Sequence, residues 1–271
     1  MANKYLARED APISSALWSK IDSAMLEAAK SQLAGRRLLH VEGPFGIGLK
    51  TIPTEDQVVI ASTKSTAEVV ASGTTPVAMI RTTFLLSARD LASYERDAVV
   101  LDVQPVVEAA MACARMEDDL LFYGSPKVHA AGLLTVKGAQ QLKLLSWDKA
   151  GGPSNDIIQA VTVLDNAGYH GPYTLALAPS RYNALLRWMP GHHRSELEHA
   201  KTIVTDGIIK AANLKDGGVL IASGRQYASI VLGQDMAVGF VGPSGNDLEF
   251  SISESLALHV RQPASICILE G

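Results

Sequence analysis

Three stretches of the chain carry residue types that could do chemistry. Gly43-Pro44-Phe45-Gly46-Ile47-Gly48 is glycine-rich and follows an apolar run. A phosphate cradle needs a strand before it and a helix start after it, so that backbone amides converge on the anion. Lys50 to Pro53 offers no helix start, and the stretch reads as a turn. Glu117-Asp118-Asp119 sets three carboxylates side by side, raw material for a metal site or an acid–base pair. Adjacent helical residues point in different directions, so the run reads as a solvated or interface-facing patch. His192, His193 and His199 form the histidine cluster of the chain. A zinc site wants ligands on one face plus a third or fourth partner. His192 and His199 lie seven residues apart, two helical turns, too far for two ligands of one ion. His192 and His193 follow Pro190-Gly191, which reads as an exposed loop where imidazoles are pH-sensitive or line an opening. The sequence holds no G-x-S-x-G elbow, H-E-x-x-H pair or G-x-x-x-x-G-K loop. The residues by themselves specify no active site.

The elements that would position these groups follow from periodicity. Leu17, Ile21, Ala24, Met25, Ala28 and Leu33 recur at three and four residues, one face of a helix that Ser14 or Ser15 can cap and Gly35 stops. Arg36 to Val41 reads as a short strand. From the glycine-rich turn to Thr75 the chain is rich in Thr, Ser and Val, an extended excursion, and Val77 to Leu86 returns from it as a strand. Asp102 can cap a long helix through Val103, Val106, Ala110, Ala114 and Leu121 that Gly124 ends. Pro105 is tolerated there because first-turn amides lack intrahelical partners. A helix Ser154 to Ala167, a strand Tyr173 to Ala178 and a helix Ser180 to Met189, stopped by Pro190, come next. The remainder reads as consecutive strands: Val219–Ala222, Tyr227–Leu232, Met236–Val241, Leu248–Ile252, Leu256–Val260 and Ser265–Leu269. Helices segregated from late strands make an α+β fold.

Composition bounds the function. Among 271 residues, 24 Lys and Arg stand against 28 Asp and Glu, a net charge of -4, which argues against nucleic acid as a main partner. Charged residues make up 19%, below the roughly 25% of an average soluble domain, which fits equally a subunit whose flanks are covered by neighbours and an ordinary low-charge enzyme. Cys113 and Cys267 lie far apart and outside any C-x-x-C pattern, which disfavours a disulfide scaffold or a structural zinc site. Lys4, Arg8, Glu9 and Asp10 interrupt the place where a signal peptide would need an apolar run. The longest uncharged stretch, Asn166 to Ser180, contains Gly168, Gly171 and Pro172, so no membrane helix is expected and the location is read as cytoplasmic.

Six segments in order carry a resemblance: Arg36-Arg37-Leu38-Leu39-His40-Val41-Glu42-Gly43-Pro44-Phe45-Gly46; Arg81-Thr82-Thr83-Phe84; Glu117-Asp118-Asp119-Leu120-Leu121-Phe122-Tyr123-Gly124; Gly171-Pro172-Tyr173-Thr174-Leu175; Leu232-Gly233-Gln234-Asp235; and the stretch Pro263 to Leu269. Together they resemble the encapsulins, protein nanocompartment shells of bacteria and archaea, across essentially the whole chain. The length is similar to that of the smaller, first family. The resemblance implies the tailed-phage major-capsid fold of the Hong Kong 97 type. Residues 1–46 would be the N-terminal helix and the start of a peripheral domain, and 47–81 an extended E-loop. Residues 82–134 would be the peripheral domain with its spine helix, 135–223 an axial domain, and 224–271 peripheral strands. A prophage major capsid protein would share the fold, but the first helix here begins near residue 15, where such a protein carries a scaffolding segment. A soluble α+β enzyme using the His192/His193 loop is the third reading.

By the same resemblance the protein is no enzyme; it assembles with itself in about sixty copies. It encloses a cargo enzyme, such as a dye-decolorising peroxidase or a ferritin-like protein of oxidative-stress or iron metabolism. The cargo would dock by a short C-terminal peptide on the end of the first helix with Arg36, Leu38 and His40, joined by Asp235, Met236 and Val238. His40 departs from the acidic residue expected there. Gly191, His192 and His193 fall where relatives line the five-fold pore. Some relatives bind flavin on the shell wall through a tryptophan; Arg89 holds that position here, and without an aromatic plane to stack on, no flavin is expected.

Overall fold

The computed structural model describes residues 4–61, 67–188 and 194–271, with backbone alone for 55–61. Helix α1, Ser15–Gln32, starts where the Ser14 hydroxyl accepts the Leu17 amide at 3.4 Å. Its face Leu17, Ile21, Met25 and Ala28 is buried, as the spacing predicts. Residues 36–38 form no strand: Gly35–Leu38 is a helical turn, α2, because Asp118 accepts the amides of Ala34 and Gly35 at 2.8 and 2.9 Å and winds the chain there. Strand β1 is limited to His40–Glu42. Two amides of the glycine-rich stretch go to protein carbonyls, Phe45 N–H to Leu232 and Gly46 N–H to Gly233, and a turn and a strand follow it in place of the helix start that an anion cradle needs.

Strands β2, Thr51–Ala61, and β3, Glu68–Pro76, form a two-stranded hairpin, and β4, Ala78–Ser87, returns from it. Helix α3, Ala88–Asp97, has no counterpart in the sequence reading; it buries only Leu91, too little to make an apolar stripe. Helix α4, Gln104–Tyr123, has Val103 and not Asp102 at its N-cap; Asp102, one residue earlier, still accepts the Gln104 amide at 2.9 Å, and the helix ends at Gly124 with φ of 68°. A short pair, β5 (Gly124–Ser125) and β6 (Ala130–Ala131), follows. Then come β7 (Gln140–Lys143), α5 (Gly152–Asn166), β8 (Tyr173–Leu177) and α6 (Pro179–Ala184). Helix α7 (Glu196–Ile203), β9 (Gly207–Lys210) and β10 (Gly218–Ala222) complete the middle of the chain. The helix expected to reach Met189 therefore ends at Ala184.

Four expected late strands are two long ones, β11 (Ala228–Ser244) and β12 (Asp247–Val260). Their apparent breaks are register shifts, at Leu232/Gln234, Gln234/Ala237 and Phe240/Gly242, that kink the ladder without ending it. The last strand, β13 (Ile266–Glu270), was grouped with residues 224–260 on the sequence; it pairs instead with β10 and β7. One sheet thus runs β1-β11-β12-β4 and the other β7-β13-β10-β8-β9. The five-stranded sheet is covered on both faces. Val219, Ile221, Ile266 and Ile268 enter the core beneath α1 and α4, while Leu220, Ala222, Cys267 and Leu269 enter the core beneath α5 and α7. Period-two alternation between two cores explains why β8 and β10 are buried at every position.

Candidate functional site

A largely apolar cleft lies between the last turns of α1 and the middle of β11. Met25, Leu26, Ala29, Lys30 and Leu33 line it from α1, Arg36 and Arg37 from α2, and Asp235 and Met236 from β11, around a volume of about 510 Å³. Leu26 is 48% exposed, a large aliphatic side chain beside the core stripe and off it.

A bulge makes the β11 wall. Gln234 pairs with Ser255 and Ala237 with Ser253, so Asp235 and Met236 together oppose Glu254 alone. Two residues against one re-aims the side chains. Asp235 turns toward Arg36, and its carboxylate also accepts the Met236 amide at 2.9 Å. Gly233 just before it has no room for a Cβ, which would meet the Ser255 hydroxyl at 2.5 Å.

The floor is a buried charge network. Arg36 donates to Glu117 from Nε at 2.8 and 3.1 Å and from Nη2 at 2.7 Å, to Glu254 from Nη2 at 2.8 Å, and to Asp235 from Nη1 at 2.6 Å. Glu117 and Glu254 are fully buried, Arg36 is 19% exposed and Asp235 55%. Burial, then the adjacent Glu117, push the Glu254 carboxyl up to about 10, so it keeps its proton at neutral pH. With that proton in place, one guanidinium faces one buried anion, and the charge inside is balanced. Burial works against the Arg36 charge, but the hydrogen bonds and charge of Glu117 outweigh it and hold the group ionised. Burial also lifts Asp118 to about 6, opposed by the amides of Gly35 and Ala34. The run 117–119 is therefore a solvated patch only at its end: Glu117 is buried against Arg36 and Asp118 against two backbone amides, while exposed Asp119 accepts from Asn213 at 2.9 Å. Their divergent directions serve three separate partners: Glu117 and Asp118 on the helix face turned inward, and Asp119 exposed at its edge.

Of the predicted docking residues, the structure brings together Arg36, Asp235 and Met236. Leu38 and Val238 are 5% and 0% exposed and belong to the core, because the strand and helix faces that carry them point inward; they line no surface. His40 is exposed on β1, an edge strand, and does not line the cleft. Leu26, Lys30 and Arg37 were missed. The signal available was the spacing 26, 29, 30 and 33, a second stripe on α1 beside the core one. Glu254 had no sequence signal, since a bulge alone places it. Gly191, His192 and His193 lie outside the described residues. Arg89 is exposed in the first turn of α3. Among the described residues no three His, Cys, Asp or Glu side chains gather as a metal site would require, and no helix is long and apolar enough to cross a membrane.

Residues 3–257 match the family model described as encapsulating protein for peroxidase. The chain is similar to the type 1 encapsulin shell protein EncA of Myxococcus xanthus, 30% identical over 98% of this chain and 96% of the relative. In three dimensions it resembles the virus-like particle from Pyrococcus furiosus, with a TM-score of 0.75 at 24% identity, over 94% of this chain and 99% of that one. The capsid of the Myoviridae phage XM1 matches with a TM-score of 0.60 at 16% identity, over 86% and 89% of the two chains, which bears on the fold alone. The chain belongs to the encapsulin family of shell proteins and has the tailed-phage major-capsid fold.

Proposed function

We propose that this encapsulin is the repeating subunit of a closed icosahedral compartment of about sixty copies, and that a short C-terminal peptide of the enclosed cargo enzyme docks in the cleft between α1 and the β11 bulge. The cleft itself carries this reading. Met25, Leu26, Ala29, Leu33 and Met236 line it, and no segment among the described residues fills it. Each aliphatic side chain buried there contributes about 1.5–3 kcal/mol, so two or three offset the ordering of a flexible tail. The buried Arg36 network fixes the relative positions of α2, α4, β11 and β12, which gives the peptide a rigid floor. Single-site affinity is modest, and several tags on an oligomeric cargo give retention.

Assembly is supported by the hairpin β2–β3. None of its β3 residues is buried, with Val69 at 53% and Val70 at 48% exposed. A two-stranded ribbon is marginal alone in water, and neighbouring subunits would cover it. The family's description points to a peroxidase as cargo; a dye-decolorising peroxidase or a ferritin-like protein places the compartment in oxidative-stress or iron metabolism in the cytoplasm. The chain itself performs no catalysis in this reading, and Arg89 gives no plane on which a flavin would stack.

Co-expression of shell and tagged cargo tests docking. Met236→Asp sets an unpaired charge in the cleft and is expected to lower cargo per particle at least tenfold while particles still form. Normal loading in intact particles would move the docking site elsewhere.

A further inference from the structure

The charges around the cleft are not balanced. Arg36 is consumed by Glu117, Glu254 and Asp235, and Asp235 by Arg36 and its own neighbour's amide. Two other cations line the opening. Lys30 is exposed and forms no ion pair among the described residues. Arg37 is exposed and donates to two carbonyls, Leu33 at 3.1 Å and Lys210 at 3.4 Å. Its charge is felt by buried Asp118, but among the described residues no carboxylate bonds to it directly. In a chain of net charge -4 this cationic rim runs against the background.

Lys30 lies in the last turn of α1, where a cation also suits the helix dipole. That role would fix helix stability and leave ligand choice untouched. The two cations, however, border an apolar trough whose lining carboxylate, Asp235, is held by Arg36, and among the described residues no carboxylate bonds to either of them. Their aliphatic stems extend the trough and their heads mark its rim.

We propose that the cleft selects peptides carrying an acidic group beside their aliphatic residues, and that Lys30 and Arg37 are the residues that read it. This rests on the cargo-docking reading above and specifies the charge of the tag. The aliphatic residues supply the binding, and the acidic group sets the preference. Exposed ion pairs of this kind are each worth a few-fold in affinity.

The test is a competition inside the cell with the full chain. A green and a red fluorescent protein are co-expressed with it, each ending in the same leucine-rich segment, one flanked by two Asp and the other by two Asn; colours are then exchanged. Purified protein is expected to retain the acidic tag about three- to tenfold over the neutral one, and a version flanked by two Lys least of all. Lys30→Gln with Arg37→Gln should bring the ratio to about one while total loading through the leucines persists, and Lys30→Gln alone should move it partway. A ratio near one in the parent, or a preference that survives in the double variant, would overturn the charge reading. If all tags load equally and Met236→Asp abolishes loading, the cleft stands and the selectivity falls. If no tag loads, or Met236→Asp changes nothing, both fall.

Discussion

Arg36→Leu removes the guanidinium that ties four elements together. In the parent it touches Glu117, Glu254 and Asp235 at 2.6–3.1 Å, and two of those carboxylates are fully buried. Unit charges about 4 Å apart attract by about 4 kcal/mol at the effective dielectric of partly screened sites. Desolvation offsets part of that in the intact pair, but once the cation is gone Glu117 stays buried with nothing to answer it. Deleting one partner of a buried pair costs about 3–5 kcal/mol. For a domain of this size each kcal/mol moves the melting temperature by about 2–4 °C, so the midpoint should drop by roughly 10 °C. The combined change Arg36→Leu, Glu117→Leu and Glu254→Leu removes the buried charges together and should recover most of the loss, because apolar replacement of a whole buried ion group is close to neutral. Scanning calorimetry of the purified proteins measures both. A single variant that melts within about 2 °C of the parent, or a combined variant worse than the single, would refute the view that Arg36 neutralises a buried anion.

Glu254→Gln tests the proton on that network. The carboxyl is lifted from the ordinary range to about 10, so the folded protein holds a proton that the unfolded chain releases near 4.5. The associated stability is complete below pH 4.5 and declines as pH rises toward 10; the variant should flatten this decline, and parallel unfolding midpoints across pH 6–10 would argue that the site holds no proton. Gly124→Ala should cost about 1–3 kcal/mol from the left-handed backbone alone, and more because its Cβ would meet the Ala130 carbonyl at 2.4 Å; an unchanged melting temperature would contradict the tight turn after α4. Asp118→Asn offers the Ala34 and Gly35 amides one acceptor in place of two and should cost about 1–3 kcal/mol, with hydrogen exchange accelerated at 34–38; unchanged exchange would mean that α2 forms without it.

Much of the scaffold was legible because its signals are local. Ser14 caps α1 and Gly124 ends α4 where the local signals put them, while α4 starts one residue later than a cap at Asp102 would have it. Helix α7 also carried a legible signal, the capping box of Ser195 and Glu198, hidden behind the polar residues around it. The long strands β11 and β12 were split because Gly233-Gln234-Asp235 looks like a turn on paper; only pairing with Ser253 and Ser255 shows a bulge. The cleft divides the same way. Its α1 wall follows from helical spacing, whereas Asp235, Met236 and Glu254 meet through a ladder whose partners lie about twenty residues apart in the chain. Leu38 and Val238 were misjudged because an apolar residue beside a binding wall and one behind it read alike in sequence; burial in the common core separates them.

Closure of the chain into a shell is tested most directly by particle mass. About sixty copies of a 28.8 kDa chain give a particle of roughly 1.7 MDa. Mass photometry of the purified protein at neutral pH, with electron microscopy of the same sample, should show one population near that mass with closed icosahedral outlines. A protein found only as monomers or small oligomers would contradict it.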